Sequence, residues 1–197
     1  MSIRSIPSIA SAVAAAALLT FSAGAGAGVV FSDGFESGDF SAWSTVNING
    51  FYDGVDSAAP HAGSYAAFFG NPNGVSTIGT TINTVIGDHY VVSFWLQNEA
   101  DVTGNSVPNS FSVDAGGSML MSLTNVGAFK YTKYTVGFDG TGSPMALNFN
   151  FEQVAAFWDF DSVVVSSAAV SVPEPATLGL IGIALVGAIG ASRRRKD

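Results

Sequence analysis

Between residues 28 and 172 the apolar side chains recur at every second position. The segment 90–97 sets the pattern: Tyr90, Val92, Phe94 and Leu96 share one face, and Val91, Ser93, Trp95 and Gln97 share the other, the two-residue period of a strand. Segments 29–32, 65–69, 75–82, 111–114, 118–123, 131–138, 145–151 and 158–166 are similarly short and rich in aromatic or β-branched residues. Gly, Asn, Asp and Ser separate them, the punctuation expected of turns. No stretch in this region keeps a 3.6-residue apolar period over three turns, so helices are expected to be minor. This many strands in about 145 residues predict an all-β domain, a two-sheet antiparallel β-sandwich or jelly roll. The absence of an internal repeat argues against a propeller or solenoid. The longest polar connection is 98–110, with Glu99, Asp101, Gly104, Asn105 and Pro108. A loop of this kind on a rigid sandwich suits binding and simple insertion equally.

The two ends follow other patterns. Arg4 precedes a small-residue and apolar run over 9–21, followed by Ser22, Ala23, Gly24, Ala25, Gly26 and Ala27, the order of a secretory signal peptide. Ala23-Gly24-Ala25 and Ala25-Gly26-Ala27 both suit a small-x-small cleavage site, and cutting after Ala27 leaves Gly28 first; an uncleaved membrane anchor is the competing reading. At the other end Val172, Pro173, Glu174 and Pro175 precede the apolar run 176–191 and then Arg193, Arg194, Arg195 and Lys196. That run predicts a single hydrophobic helix about 24 Å long, short of the roughly 30 Å hydrocarbon core but usable with Arg snorkelling and local thinning. The basic cluster would stay cytoplasmic, with the rest of the chain outside. The two prolines keep the junction extended. The expected organisation is a signal peptide over 1–27, a β-sandwich domain over 28–172, and a sorting and anchoring tail over 173–197.

Charge narrows the partners. Only 11% of the 197 residues are charged, against about 25% in ordinary soluble domains. Region 28–172 holds thirteen carboxylates against Lys130 and Lys133, a net charge of −11. Such a surface repels nucleic acid and anionic lipid, and favours solubility and divalent cations. The chain has no cysteine, which neither fixes the redox compartment nor conflicts with export, because a domain of this size needs no staple. His61 and His89 have no ligand-spaced companions, so zinc has little support.

The tail from Val172 through Leu180, followed by Gly/Ala-rich apolar residues and Arg193-Arg194-Arg195, resembles the PEP-CTERM sorting signal of Gram-negative bacteria. Pro173, Glu174 and Pro175 fit its tripeptide. The resemblance implies handling by signal peptidase and the export machinery, and then by an exosortase-type membrane protease. Transient anchoring by the C-terminal helix, tail removal and delivery to the cell surface or extracellular matrix would follow.

A second resemblance covers the middle. Phe31-Ser32-Asp33-Gly34-Phe35-Glu36 through Trp43, then His61-Ala62-Gly63-Ser64-Tyr65, then Trp158-Asp159-Phe160-Asp161-Ser162-Val163 are similar to the opening, an early strand and the closing strand of galactose-binding-like jelly rolls, which include many carbohydrate-binding modules. The family often ties its opening segment to its last strand with calcium. The resemblance therefore implies a structural Ca2+ held by Glu36 and Asp161, with Asp33 and Asp159 as neighbours. Ser162 departs from the family, where an acidic residue is frequent. Independently, Asp161 has the parity of Val163 and Val165 and is expected to face the core, where a carboxylate is expensive unless paired or metal-bound; the metal-free alternative is that it reaches solvent at the strand edge or bonds local backbone amides.

For function, Trp95 beside Gln97 offers an aromatic plate and an amide, suited to stacking on a sugar and bonding its hydroxyls. A sandwich-strand Trp is, however, more often simply covered by a loop or the second sheet. The chain has no Cys nucleophile, no G-x-S-x-G elbow, no phosphate loop and no H-E-x-x-H. Glu36, Glu99 and Glu152 leave glycoside hydrolysis as a remote alternative. The expectation is a non-catalytic surface or matrix protein. Binding of exopolysaccharide or another glycan, and a structural role without a defined ligand, remain as its two readings.

Overall fold

The computed structural model describes residues 28–168, so the expected signal peptide and C-terminal helix lie outside the described residues. Eleven strands run in order: β1 (Gly28–Asp33), β2 (Ser44–Val46), β3 (Asp53–Asp56), β4 (Ala66–Phe69), β5 (Ser76–Asn83), β6 (His89–Asn98), β7 (Asn109–Ala115), β8 (Ser118–Thr124), β9 (Phe129–Asp139), β10 (Pro144–Gln153) and β11 (Trp158–Ala168). They form two sheets. The first has the order β3-β4-β11-β6-β9, with β1 also paired to β11; the second has the order β2-β5-β10-β7-β8. Every pairing is antiparallel, and no helix occurs among the described residues. The fold is the expected two-sheet sandwich.

The alternating pattern builds the core. Tyr90, Val92, Phe94 and Leu96 from one sheet meet Ile78, Phe111, Val113, Leu147, Phe149 and Phe151 from the other, all buried. Aromatic rings fill the space between: Phe69 stacks on Phe151 at 3.9 Å between centroids, and Phe160 lies 4.9 Å from Phe149. Such pairs add to the area-based gain of burying large rings. Polar tips in this core find partners, as where Trp158 Nε1 donates to the Glu152 carbonyl at 3.0 Å.

Strand β11 organises the first sheet. On one side it pairs with β6. On the other it pairs with β4 through residues 158–160 and with β1 through 163–167. The change of partner coincides with a bulge: Asp161 faces Trp95 and Val164 faces Ser93, so Ser162 and Val163 together oppose Phe94. Ser162 takes the left-handed conformation, φ 54°. One extra residue reverses the facing of everything beyond it. Val163 and Val165 face the core, but Asp161, paired with the outward Trp95, lies on the outer face. The expectation that Asp161 points into the core is corrected by this bulge.

Gly28 pairs with Ser167, closing the sandwich where the chain enters and leaves it. Residues 28–168 thus carry the eleven described strands and the buried core they share.

Candidate functional site

The outer face of the first sheet is partly roofed by the β3–β4 connection, residues 57–65. Three side chains hold that loop. Tyr131 Oη donates to the Ala59 carbonyl at 2.7 Å. Asp161 Oδ2 accepts the His61 and Ala62 amides at 2.9 and 3.0 Å, and its Oδ1 accepts the Ser162 amide. Glu36, from the β1–β2 connection, accepts the Ser64 amide at 3.0 Å and the Tyr65 amide at 3.2 Å. Glycine is required at position 63, where φ is +70° and a Cβ would fall 2.2 Å from Glu36 Oε1. Burial beneath the loop raises the Asp161 carboxyl above its ordinary range, while the amides it accepts pull the other way.

The roof also meets Trp95. The His61 imidazole stacks on its indole, centroids 3.8 Å apart and planes 19° apart, with the Tyr131 ring edge-on to His61 at 5.2 Å. His61 Nδ1 is buried and has no hydrogen-bond partner among the described residues. The sugar-stacking plate expected of Trp95 therefore carries a protein side chain. Gln97 lies on the same face, buried, with Nε2 donating to Asp159 Oδ2 at 2.7 Å.

The four carboxylates expected around calcium do not converge. Asp33 accepts the Phe35 amide at 2.9 Å and Trp43 Nε1 at 2.6 Å, which fixes the opening turn, including Phe35 at φ 59° in the core. Glu36 and Asp161 grip the loop, and Asp159 holds Gln97. Each is turned toward N–H hydrogens, whose partial charge has the sign of a cation. Among the described residues no three His, Cys, Asp or Glu side chains are grouped to hold a metal. Calcium needs six to eight oxygens at one point, and this donor set does not fit it.

An open site lies beyond the loop, toward the end of the sheet where β11 begins. A cleft of about 230 Å³ is lined by Asp56, Ala58, Ala59, Phe68, Glu99, Phe157 and Asp159. A neighbouring cleft of about 340 Å³ shares Glu99 and includes Gln97, Phe129 and Lys130. Two glycines lay down the aromatic wall. A Cβ on Gly54 would meet Phe68 at 2.9 Å, and one on Gly70 would meet Phe157 at 2.5 Å, so each ring lies over bare backbone. The rings meet edge to face, 5.7 Å apart at 82°. Beside them Asp159 is 4% exposed. Burial, reinforced by Glu99 and Asp56 and opposed by Gln97 and Lys130, pushes its carboxyl up to about 7. Tyr131 is also raised, by burial and then by Asp159, Asp161, Glu99 and Asp56.

Of the expected binding pair, Gln97 lines the second cleft and Trp95 lines neither. The sequence reading missed Phe68, Phe157 and Asp56, and placed Asp159 and Glu99 in other roles. A signal was present in Gly54 and Gly70, strand or strand-end glycines that often mark a close approach. Of the three glutamates weighed for glycoside hydrolysis, Glu36 holds the 57–65 loop, Glu99 lines the cleft, and Glu152 accepts Ser110 Oγ in the second sheet.

Solved structures similar to this fold include the carbohydrate-binding module TmCBM61 in complex with β-1,4-galactotriose, at 20% identity and TM-score 0.53 over 67% of this chain and 92% of that one. A cleaved adhesin domain of Lys-gingipain from Porphyromonas gingivalis is 18% identical, TM-score 0.54, covering 72% and 99%. The C-terminal family 22 carbohydrate-binding module of Clostridium thermocellum Xyn10B is 14% identical, TM-score 0.53, covering 75% and 97%. At these identities the likeness is one of fold. No curated protein matches the chain in sequence. Residues 171–196, which include Pro173, Glu174, Pro175 and Arg193 to Arg195, match the PEP-CTERM protein-sorting motif; the chain carries that motif at its C-terminal end.

Proposed function

We propose that this is an exported, exosortase-processed protein of the cell surface or extracellular matrix, whose sandwich binds polysaccharide in the cleft bounded by Phe68, Phe157, Asp159 and Glu99. The sorting motif supports the destination. The observation that carries the binding reading is an aromatic wall set beside carboxylates in an open cleft. Apolar ring faces cover the C–H surface of a sugar, and carboxylates accept its hydroxyls.

Position supports the same reading. The strand β11 starts at the cleft and ends beside Gly28, at Ala168, three positions before the matched sorting motif in the sequence. Eleven residues at about 3.3 Å each separate the two poles by roughly 35 Å. A tether at one pole presents the cleft away from the membrane.

The test is retention of the organism's own exopolysaccharide, and of a glycan array, by residues 28–172. Binding that disappears in Phe157→Ala supports the cleft. Failure to retain any glycan turns the assignment to a structural protein without a ligand, a reading favoured by the roof over Trp95. Asp159, with its raised carboxyl, and Glu99 share the cleft, the chemistry of a glycosidase acid and its partner. Retained polysaccharide is therefore also checked for shortening; none is expected, because Asp159 is almost wholly buried and pinned by Gln97.

A further inference from the structure

Three observations at the cleft are not explained by a neutral sugar alone. First, the charge is one-sided. Asp56, Glu99 and Asp159 line it, Asp161 lies beneath the adjacent loop, and Lys130 is the basic residue bordering the neighbouring cleft. Second, Asp159 is buried and only half partnered. Its Oδ2 takes Gln97, and Oδ1 accepts no hydrogen bond from the described residues, although the side chain lines the cavity. That oxygen opens to the cleft, where an N–H donor of a ligand can reach it. Third, the carboxylates are not grouped to hold a metal ion, and the remaining wall is aromatic. Spaced carboxylates with ring faces between them suit a cation larger than a metal ion, one with several N–H donors and a C–H surface for the rings.

Building on the polysaccharide reading above, we infer that the cleft selects an amino sugar with a free ammonium group, placing that group against Asp159 and Glu99 and the sugar ring against Phe157 and Phe68. A polysaccharide of de-N-acetylated hexosamine carries such groups along its length. Acetylation removes both the charge and two of the three N–H donors. The cleft of about 230 Å³ falls below the roughly 300–1,000 Å³ of drug-sized sites, a size for one sugar ring. The second cleft meets it at Glu99, where the next residue of a chain would lie.

The experiment is calorimetry on residues 28–172 with glucosamine oligomers and with N-acetylglucosamine oligomers of the same length, at pH 7 and low salt, where the Asp159 carboxyl, raised to about 7, is partly ionised. The amine form should bind about tenfold tighter or more, as expected for a charge-assisted contact, and added salt should erode the difference. Asp159→Asn, which keeps shape, and Glu99→Gln should each remove most of that preference, read as the ratio of the two oligomer affinities within each variant. Unfolding curves for each variant check that the fold is retained. Equal affinity for the two oligomers overturns the inference. If neutral glycans still bind and Phe157→Ala abolishes that binding, the polysaccharide reading survives alone. If no glycan binds, both fall. Spermidine or a lysine-rich peptide binding as tightly as the amine oligomer overturns the assignment to a sugar.

Discussion

Replacing Asp159 with Asn should make the protein more stable at pH 8 and leave its stability nearly unchanged at pH 4. Asp159 is 4% exposed, and its carboxyl is raised from 3.8 to about 7, chiefly by burial and then by Glu99. In the unfolded chain it ionises near 4. Between these values the folded state holds a proton that the unfolded state has lost, so stability falls as pH rises through this window. At about 1.4 kcal/mol per pH unit, the full interval from 3.8 to about 7 corresponds to a loss of about 4 kcal/mol above pH 7. An Asn at 159 has no charge to desolvate, and its Oδ1 can still accept from Gln97. The wild-type curve should therefore drop between pH 4 and pH 7 more steeply than that of Asp159→Asn, with a gap of up to about 4 kcal/mol at pH 8. Urea titrations at unit steps from pH 4 to pH 8, read by tryptophan fluorescence, measure it; the buried Trp158 and Trp43 report loss of the core. Parallel pH profiles for the two proteins, or a variant less stable at pH 8, would refute the reasoning.

Asp161→Ala should cost about 3 kcal/mol in chemical denaturation, because the His61 and Ala62 amides lose their acceptor. The same variant should expose residues 57–65 to limited proteolysis before global unfolding. Calcium is expected to leave the thermal midpoint of residues 28–172 where EDTA leaves it; a calcium-dependent rise that Asp161→Asn erases would instead establish a site. Intact-mass measurement of the exported form should give a chain that begins near Gly28 and ends near Pro173-Glu174-Pro175, and replacing those three residues should trap the protein in the inner membrane. Recovery of only the full-length chain from cytoplasm would refute that processing.

Nine of the eleven strands were legible because their apolar residues alternate. The two that were not, β2 and β3, show what pattern reading needs. Strand β2 is Ser44-Thr45-Val46, exposed throughout, so it has no buried face to leave a period. Strand β3 is Asp53-Gly54-Val55-Asp56, a composition that disfavours strands. It forms because Asp53, only 1% exposed, accepts the Asn49 and Gly70 amides and Ser76 Oγ. A buried carboxylate satisfied three times over fixes this edge, and those partners lie up to 23 residues away in the chain.

The site was less legible for a related reason. Asp161 was expected to face inward by counting along β11, and the count fails at a single residue, Ser162. Without that bulge Asp161 would share a face with Val163 and Val165. With it, the carboxylate reaches the outer face and binds backbone amides of residues 61–62, a hundred positions earlier in the chain. The latched loop then sets His61 on Trp95 and stops at Ala58 and Ala59, where the open cleft begins. The face that a sugar-binding Trp would present is thereby covered, and exposed ring surface passes to Phe68 and Phe157, which lie over glycine backbone. Parity alone places the aromatic residues on strands. Which of them faces solvent depends on the bulge, the latch and two missing Cβ atoms, and none of these has a periodic signature.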